Sequence, residues 1–160
     1  GLMGKQNLYE HSIRVPLIFR GPGVPHGVQS DSLCYLLDIF PTLCEYLDVP
    51  VPRSVDGKSL VPAMEEPGRV LRKSQYYGYR ACQRAVRDDR FKLIENFGGG
   101  ARTTQLFDLH EDPWEMRNLA DDPGHARTLS ELRLQMRKWR EESGDTREDE
   151  QDFWDAVTLD

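Results

Sequence analysis

The sequence predicts an α+β fold: a small antiparallel sheet of three to four strands packed with a C-terminal amphipathic helix. Three observations carry that reading. Short β-prone runs follow one another between residues 74 and 108, separated by brief turns, as antiparallel neighbours require. An apolar stripe at helical spacing follows, from about His125 to Glu142. The whole chain of 160 residues, with 38% hydrophobic and 30% charged residues, has the composition of one ordinary globular domain with a core to bury.

The elements are read in chain order. Residues 1–14 hold a loop and a polar-aromatic stretch, Lys5-Gln-Asn-Leu-Tyr-Glu-His-Ser12. Val15-Pro-Leu-Ile-Phe19 is a continuous apolar run that stops at Gly21-Pro-Gly-Val-Pro-His-Gly27. Its lack of alternation predicts a strand buried on both faces, as in a parallel sheet. Few similar runs exist to flank it, so its sheet is expected to lie elsewhere. Residues 31–48 read as helix, with Leu33, Leu36, Leu37, Phe40, Leu43, Cys44 and Leu47 forming an apolar stripe. Pro41 fits only a first turn, so the main helix is expected to begin near Asp38, its N-cap, and to end at Asp48-Val-Pro-Val-Pro52. Val55-Asp-Gly57 is a turn, and Ser59–Met64 a short helix.

The strands are Gln75–Tyr79, Arg84–Arg87, Phe91–Phe97 and Thr103–Asp108, with Asp88-Asp89 as a turn and Gly98-Gly-Gly100 as a hinge or hairpin loop. Asp122-Pro123 enters the last helix, whose apolar positions are Leu129, Leu132, Met136 and Trp139.

Net charge is −6, but Glu141–Asp152 alone carries seven acidic residues against Arg147, and Asp155 and Asp160 add two more. The body is near neutral, and the segment 143–160 is expected to be a solvated, mobile acidic tail. Nothing resembles the basic footprint of a nucleic-acid binder. No run of about 18 apolar residues predicts a membrane span.

Cys34, Cys44 and Cys82 form no C-x-x-C pair; Cys34 and Cys44 sit among apolar residues and read as small buried hydrophobes. His11, His26, His110 and His125 offer no pair at ligand spacing. The cluster Asp108, His110, Glu111 and Asp112 reads as a polar turn after a strand. No metal is therefore expected on this chain's own residues. A nucleophile elbow and a phosphate-cradling glycine loop are both missing from the sequence.

The most concentrated chemical candidate is Gly4-Lys5-Gln-Asn-Leu-Tyr9-Glu10-His11-Ser-Ile-Arg14-Val-Pro16. A lysine there can neutralise an anionic substrate oxygen and stabilise charge on a leaving group.

The order of motifs resembles the sulfatase family over residues 1–142. Gly4-Lys5-x-x-x-Tyr9-Glu10 with Arg14-Val-Pro16 is similar to its G-K-x-x-x-Y-E segment, and Arg20-Gly-Pro-Gly23 to its glycine-proline loop. Asp38-Ile-Phe-Pro-Thr-Leu43 and Val55-Asp-Gly-Lys-Ser-Leu60 are similar to its D-x-x-P-T-L and DG-x-S-L elements. Phe91-Lys-Leu-Ile94, Leu106-Phe-Asp-Leu109 and Glu111-Asp-Pro-Trp-Glu-Met-Arg-Asn-Leu119 are similar to its Y-K-L-I, L-Y-D-L and D-P-x-E-x-x-N-L elements.

The resemblance implies the C-terminal portion of an arylsulfatase-like enzyme. Residues 1–65 would end an alkaline-phosphatase-like α/β catalytic domain, contributing its last strand and helix. Residues 66–142 would be a C-terminal α+β subdomain. Lys5 would be the catalytic lysine that binds sulfate and assists the leaving oxygen, and His11 a substrate contact. None of the three cysteines lies in the C/S-x-P/A-x-R signature from which formylglycine is made, and the family's acidic cation ligands have no counterpart here. Formylglycine and a divalent cation, calcium, are therefore expected from an N-terminal part of the enzyme. The implied substrate is a sulfated small molecule or glycan. The isolated chain is expected to be inactive. Family members are often exported, periplasmic or lysosomal. Two other readings are a non-catalytic interaction module and part of a phosphonate or phosphate monoester hydrolase.

Overall fold

The computed structural model describes residues 5–145 and 151–157. Packing divides the chain into two compact units: the start of the chain to Val15 together with Tyr76 onward, and Pro16–Gln75 between them. The stretch 1–65, read from the motifs as one part, is thus shared between two packing units.

In the first unit, β1 (Gln75–Tyr79), β2 (Gln83–Arg87), β3 (Phe91–Gly98) and β4 (Ala101–Asp108) form one sheet in sequential order. β2 and β4 each run antiparallel to β3, with Val86 opposite Leu93 and Leu93 opposite Leu106. The turns follow from their side chains. Asp88 Oδ1 accepts the amides of Arg90 and Phe91, which closes the β2–β3 turn. Gly98 pairs with Ala101, and Gly99 and Gly100 hold φ of 59° and 77°. A two-residue turn with both φ positive is the connection that matches strand twist, and glycine adopts it without a Cβ penalty.

Both faces of the sheet are covered, because successive side chains of a strand point to opposite sides. Val86, Leu93 and Leu106 on one face pack with Leu132 and Met136 of α2 (Ala126–Ser143) and with Phe153, Trp154 and Val157 in and just after α3 (Gln151–Ala156). Asp122 accepts the amide of Gly124 at the entry to α2, and Gly144 closes it at φ 66°. Ala85, Ile94 and Phe107 on the other face pack with Leu8, Tyr9 and Ile13. That second cover includes α1 (Glu10–Ile13), the turn of helix within the lysine-bearing segment.

The second unit holds a helix over Ile39–Tyr46 preceded by a 3-10 turn at Leu36–Asp38, and a short helix over Val61–Glu65. Asp38 does stand at the N-cap position and Pro41 lies in the first turn. The buried face of the helix is Pro41, Thr42 and Cys44, whereas Leu36, Leu37, Phe40, Leu43 and Leu47 are exposed. The apolar stripe exists but faces away from this unit's own interior. Gly57 is required by close approach, since a Cβ there would lie 2.2 Å from the Leu37 carbonyl oxygen.

Two expectations are corrected. Val15–Phe19 forms no strand, and Ile18 is 86% exposed. A strand exists only through ladder partners, and none among the described residues pairs with this run. The acidic tail is not simply solvated where it is described: Phe153 is fully buried and Val157 nearly so. The apolar residues among the tail's acids outweigh its charge, because the sheet face offers them a core to join. Residues 146–150 and 158–160 of that expected tail lie outside the described residues.

Phe153→Ala is expected to lower unfolding free energy by about 3–5 kcal/mol, the usual loss for a buried phenylalanine. Urea denaturation reads it; a change below about 1 kcal/mol would mean that α3 is not held on the sheet.

Candidate functional site: a lysine-bearing segment pinned by buried charge

Lys5 begins the described chain, exposed and with φ of 59°. Positive φ is uncommon for a residue with a Cβ. No hydrogen bond or ion pair reaches its ammonium among the described residues. Gly4 lies outside the described residues.

The residues after Lys5 are heavily tied down. Asn7 is buried, and its Oδ1 accepts the amide of Tyr9 at 3.1 Å and the hydroxyl of Ser12 at 2.7 Å. Leu8 is buried against the sheet. Tyr9 donates its hydroxyl to Gln105 Oε1 of β4 at 2.8 Å and meets Phe107 edge-on. His11 is exposed, stacks on Tyr9 at 5.8 Å between ring centroids, and sits 3.4 Å from the Asn7 amide nitrogen. Arg14 is exposed.

Glu10 enters a charge cluster that the sequence did not reveal. Lys92 of β3 is completely buried; its ammonium lies 3.1 Å from Glu10 Oε1 and 2.7 Å from Glu115 Oε1. Arg87 of β2 reaches Glu10 Oε2 at 3.0 Å. The Glu10 amide donates to Glu115 Oε2 at 2.6 Å. Lys92 and Arg87 are register partners in the sheet and so lie on one face, together with Ile94 and Phe107. A strand side chain on a covered face must find countercharge there, and Glu10 and Glu115 supply it. The sequence signal was a lysine inside the apolar run Phe91–Ile94.

Glu115 is delivered by a loop with its own fixed geometry. Asp112 accepts the Glu115 amide on its carbonyl at 3.0 Å and the Arg117 amide on Oδ2 at 2.7 Å. Glu115 adopts φ of 56°, which turns its carboxylate inward while Trp114 and Met116 stay exposed. Asn118 Oδ1 accepts the amides of Leu106 and Ala120, and Leu119 enters the core.

The other charged candidates serve the fold. Asp108 is gripped by Arg90 through contacts of 2.6–3.1 Å and accepts the His110 and Glu111 amides. The Arg90 hydrogen bonds, aided by those amides, hold its carboxyl below the ordinary aspartate range despite its burial. Arg84, in the sheet, is buried and pairs with Asp145 at 2.6 and 3.0 Å, and Tyr76 also donates to Asp145. Burial and the Asp145 bond push the Tyr76 hydroxyl's pKa far up. Among the described residues no group of three His, Cys, Asp or Glu could hold a metal ion, and no helix is long and apolar enough to cross a membrane. Cys34, Cys44 and Cys82 are free thiols, with Cys44 buried and Cys34 and Cys82 partly so.

The family model described as "N-sulphoglucosamine sulphohydrolase, C-terminal" matches residues 1–142. The chain belongs to the sulfatase family. Human Arylsulfatase K is 33% identical over 128 residues, covering 72% of this chain and 24% of that protein. The N-acetylglucosamine-6-O-sulfatase of Bacteroides thetaiotaomicron is 29% identical over 164 residues, covering 95% of this chain and 29% of the relative. A solved protein in complex with its substrate D-glucosamine-2-N,6-O-disulfate superimposes with a TM-score of 0.62 at 26% identity, over 71% of this chain and 25% of that one. This chain of the sulfatase family therefore spans about a quarter of the length of the relatives it matches, in their C-terminal portion.

Asp108 contributes stability that is complete above its unfolded-state pKa of about 3.9 and is lost as pH falls through its depressed folded value. The stability gap between wild type and Asp108→Asn should therefore be constant at neutral pH and close on acidification below about pH 4. A carboxyl NMR titration with its midpoint at or above the ordinary aspartate value would contradict this.

Proposed function

We propose that this chain is the C-terminal region of a sulfatase that hydrolyses sulfate esters, and that Lys5 is its catalytic contribution. Family membership over residues 1–142, including the segment that Lys5 heads, carries the reading. An exposed ammonium without a partner among the described residues, next to a segment fixed on the sheet, suits the binding of an anion. Lys5 would take a sulfate oxygen and offset the charge that develops on the departing alkoxide, a gain concentrated in the transition state. His11, exposed beside Tyr9, would contact the substrate.

Formylglycine and the calcium ion are assigned to an N-terminal part of the enzyme. The described residues offer neither a metal-ligand cluster nor a cysteine in the required signature, so they do not fit these groups. The substrate class proposed is a sulfated glycan or small molecule; the sulfated glucosamine named for the structural relative supports it. Lys5→Ala in the complete enzyme should lower turnover of an aryl sulfate by roughly 10²–10³-fold, the range for losing one oxyanion donor. Unchanged turnover would reject the role. The 160-residue chain by itself is expected to turn over neither aryl sulfate nor aryl phosphonate.

The partner proposed for the apolar stripe is that same N-terminal part. Leu36 and Leu37 of the 3-10 turn, Phe40 and Leu43 of the helix that follows and Leu47 at its C-cap are 46–71% exposed, an arrangement that soluble surfaces seldom leave uncovered. The chain alone should bind a hydrophobic dye and self-associate at micromolar concentration, and Phe40→Glu with Leu43→Glu should abolish both. A monodisperse, dye-silent wild-type chain would count against the covered face.

A further inference from the structure

Three segments far apart in sequence meet at one buried ammonium, and they do so immediately after the lysine assigned to catalysis. Lys92 is 0% exposed, Glu115 2% and Glu10 10% by side chain. The Glu10 carboxylate is shared between Lys92 and Arg87, and the Glu10 backbone amide is fixed by Glu115. Every group in the cluster therefore has a defined partner, and the element they locate is the first turn of α1, five residues beyond Lys5. Between the two lie Asn7 and Leu8, both buried, which leave the intervening chain little freedom.

We propose that Lys92 is a positioning residue for the reaction: clamped by Glu10 and Glu115, it sets the place at which the Lys5 ammonium meets the anionic group of the substrate. This rests on the reading of Lys5 given above. The clamp suits the task because it acts on both the backbone and the side chain of Glu10. The segment can then neither slide along the sheet nor rotate about its own axis without parting buried charges. Displacement of a catalytic group by about 1 Å from a remote change can cost on the order of 10²-fold in rate.

The test is a double-mutant cycle in the complete enzyme, with Lys5→Ala and Lys92→Met, read by turnover, thermal unfolding and amide hydrogen exchange. Lys92→Met should lower kcat by roughly 10–100-fold when Lys5 is present. It should lower it little further in the Lys5→Ala background, because a misplaced group and a missing one cost about the same. Exchange at the amides of Tyr9–Ile13 should speed up while those of β3 stay protected.

A loss of equal size in both backgrounds would make Lys92 merely structural and overturn the proposal, leaving the Lys5 role intact. So would an unchanged kcat in Lys92→Met. If Lys5→Ala alone has no effect, the Lys5 reading falls first and the role of Lys92 falls with it. Should Lys92→Met fail to fold, the same cycle is run with Glu115→Gln. That variant keeps the shape and an acceptor for the Glu10 amide while weakening the grip on Lys92, and the same non-additivity is expected or the proposal is rejected.

Discussion

The first unit is organised around the ammonium of Lys92. A lysine on the covered face of a sheet cannot remain charged without compensation, and two carboxylates from segments separated by 105 residues come to it. That demand fixes where α1 lies on the sheet and how the 111–119 loop folds back beside β4. Apolar contact between Leu8, Ile94 and Phe107 supplies area but little direction. The charges supply direction, since a buried carboxylate displaced from its partner loses far more than a methyl group displaced from its neighbour. Such a cluster is weak grounds for high net stability and stronger grounds for a unique arrangement.

The second unit repeats the device with other residues. Asp38 is fully buried and takes a bidentate grip from Arg72 at 2.5 and 2.7 Å, with the Arg72 guanidinium over the Tyr35 ring. The same carboxylate accepts the amides of Tyr35 and Lys58. Thr42 donates to the Asp38 carbonyl and accepts the Leu60 amide. The two motifs around Asp38 and Gly57 are thus one hydrogen-bonded knot. The 111–119 motif likewise resolves into a turn former, an inward carboxylate, a strand-edge amide and a core leucine. These motif residues hold the backbone through hydrogen bonds and ion pairs within the chain.

The sheet and the last helix were legible in the sequence because each of their signals is local. Alternation, Asp-Asp and Gly-Gly turns, and a three-four apolar spacing act within a few residues. What the sequence did not disclose depends on partners distant along the chain. Lys92 reads as an ordinary polar residue in a strand until Glu10 and Glu115 are brought beside it. Phe153 and Trp154 sit among acids, and net charge hid that they have a core to join. Val15–Phe19 was read as a strand buried on both faces and the Leu36–Leu47 residues as an apolar helical stripe, and both readings presuppose covering partners. Nothing among the described residues of their unit buries them, so the run pairs with no strand and the stripe is exposed.

These exposures and the clamp point in one direction. The residues that meet partners within the chain are satisfied to a high degree: Glu10, Lys92, Glu115, Asp38 and Arg72 all have defined counterparts. Among the described residues, the exposed apolar stripe and the ammonium of Lys5 have no such counterparts. An apolar surface is suited to a permanent neighbour, because leaving it in water is costly at all times. A free ammonium is inexpensive in water and becomes valuable only when an anion is brought to it in a site from which water is excluded. Fixing the backbone beyond Lys5 while leaving its charge uncommitted is what binding of a transient anionic group requires. A lysine already paired within the fold would have to break that pair before it could act.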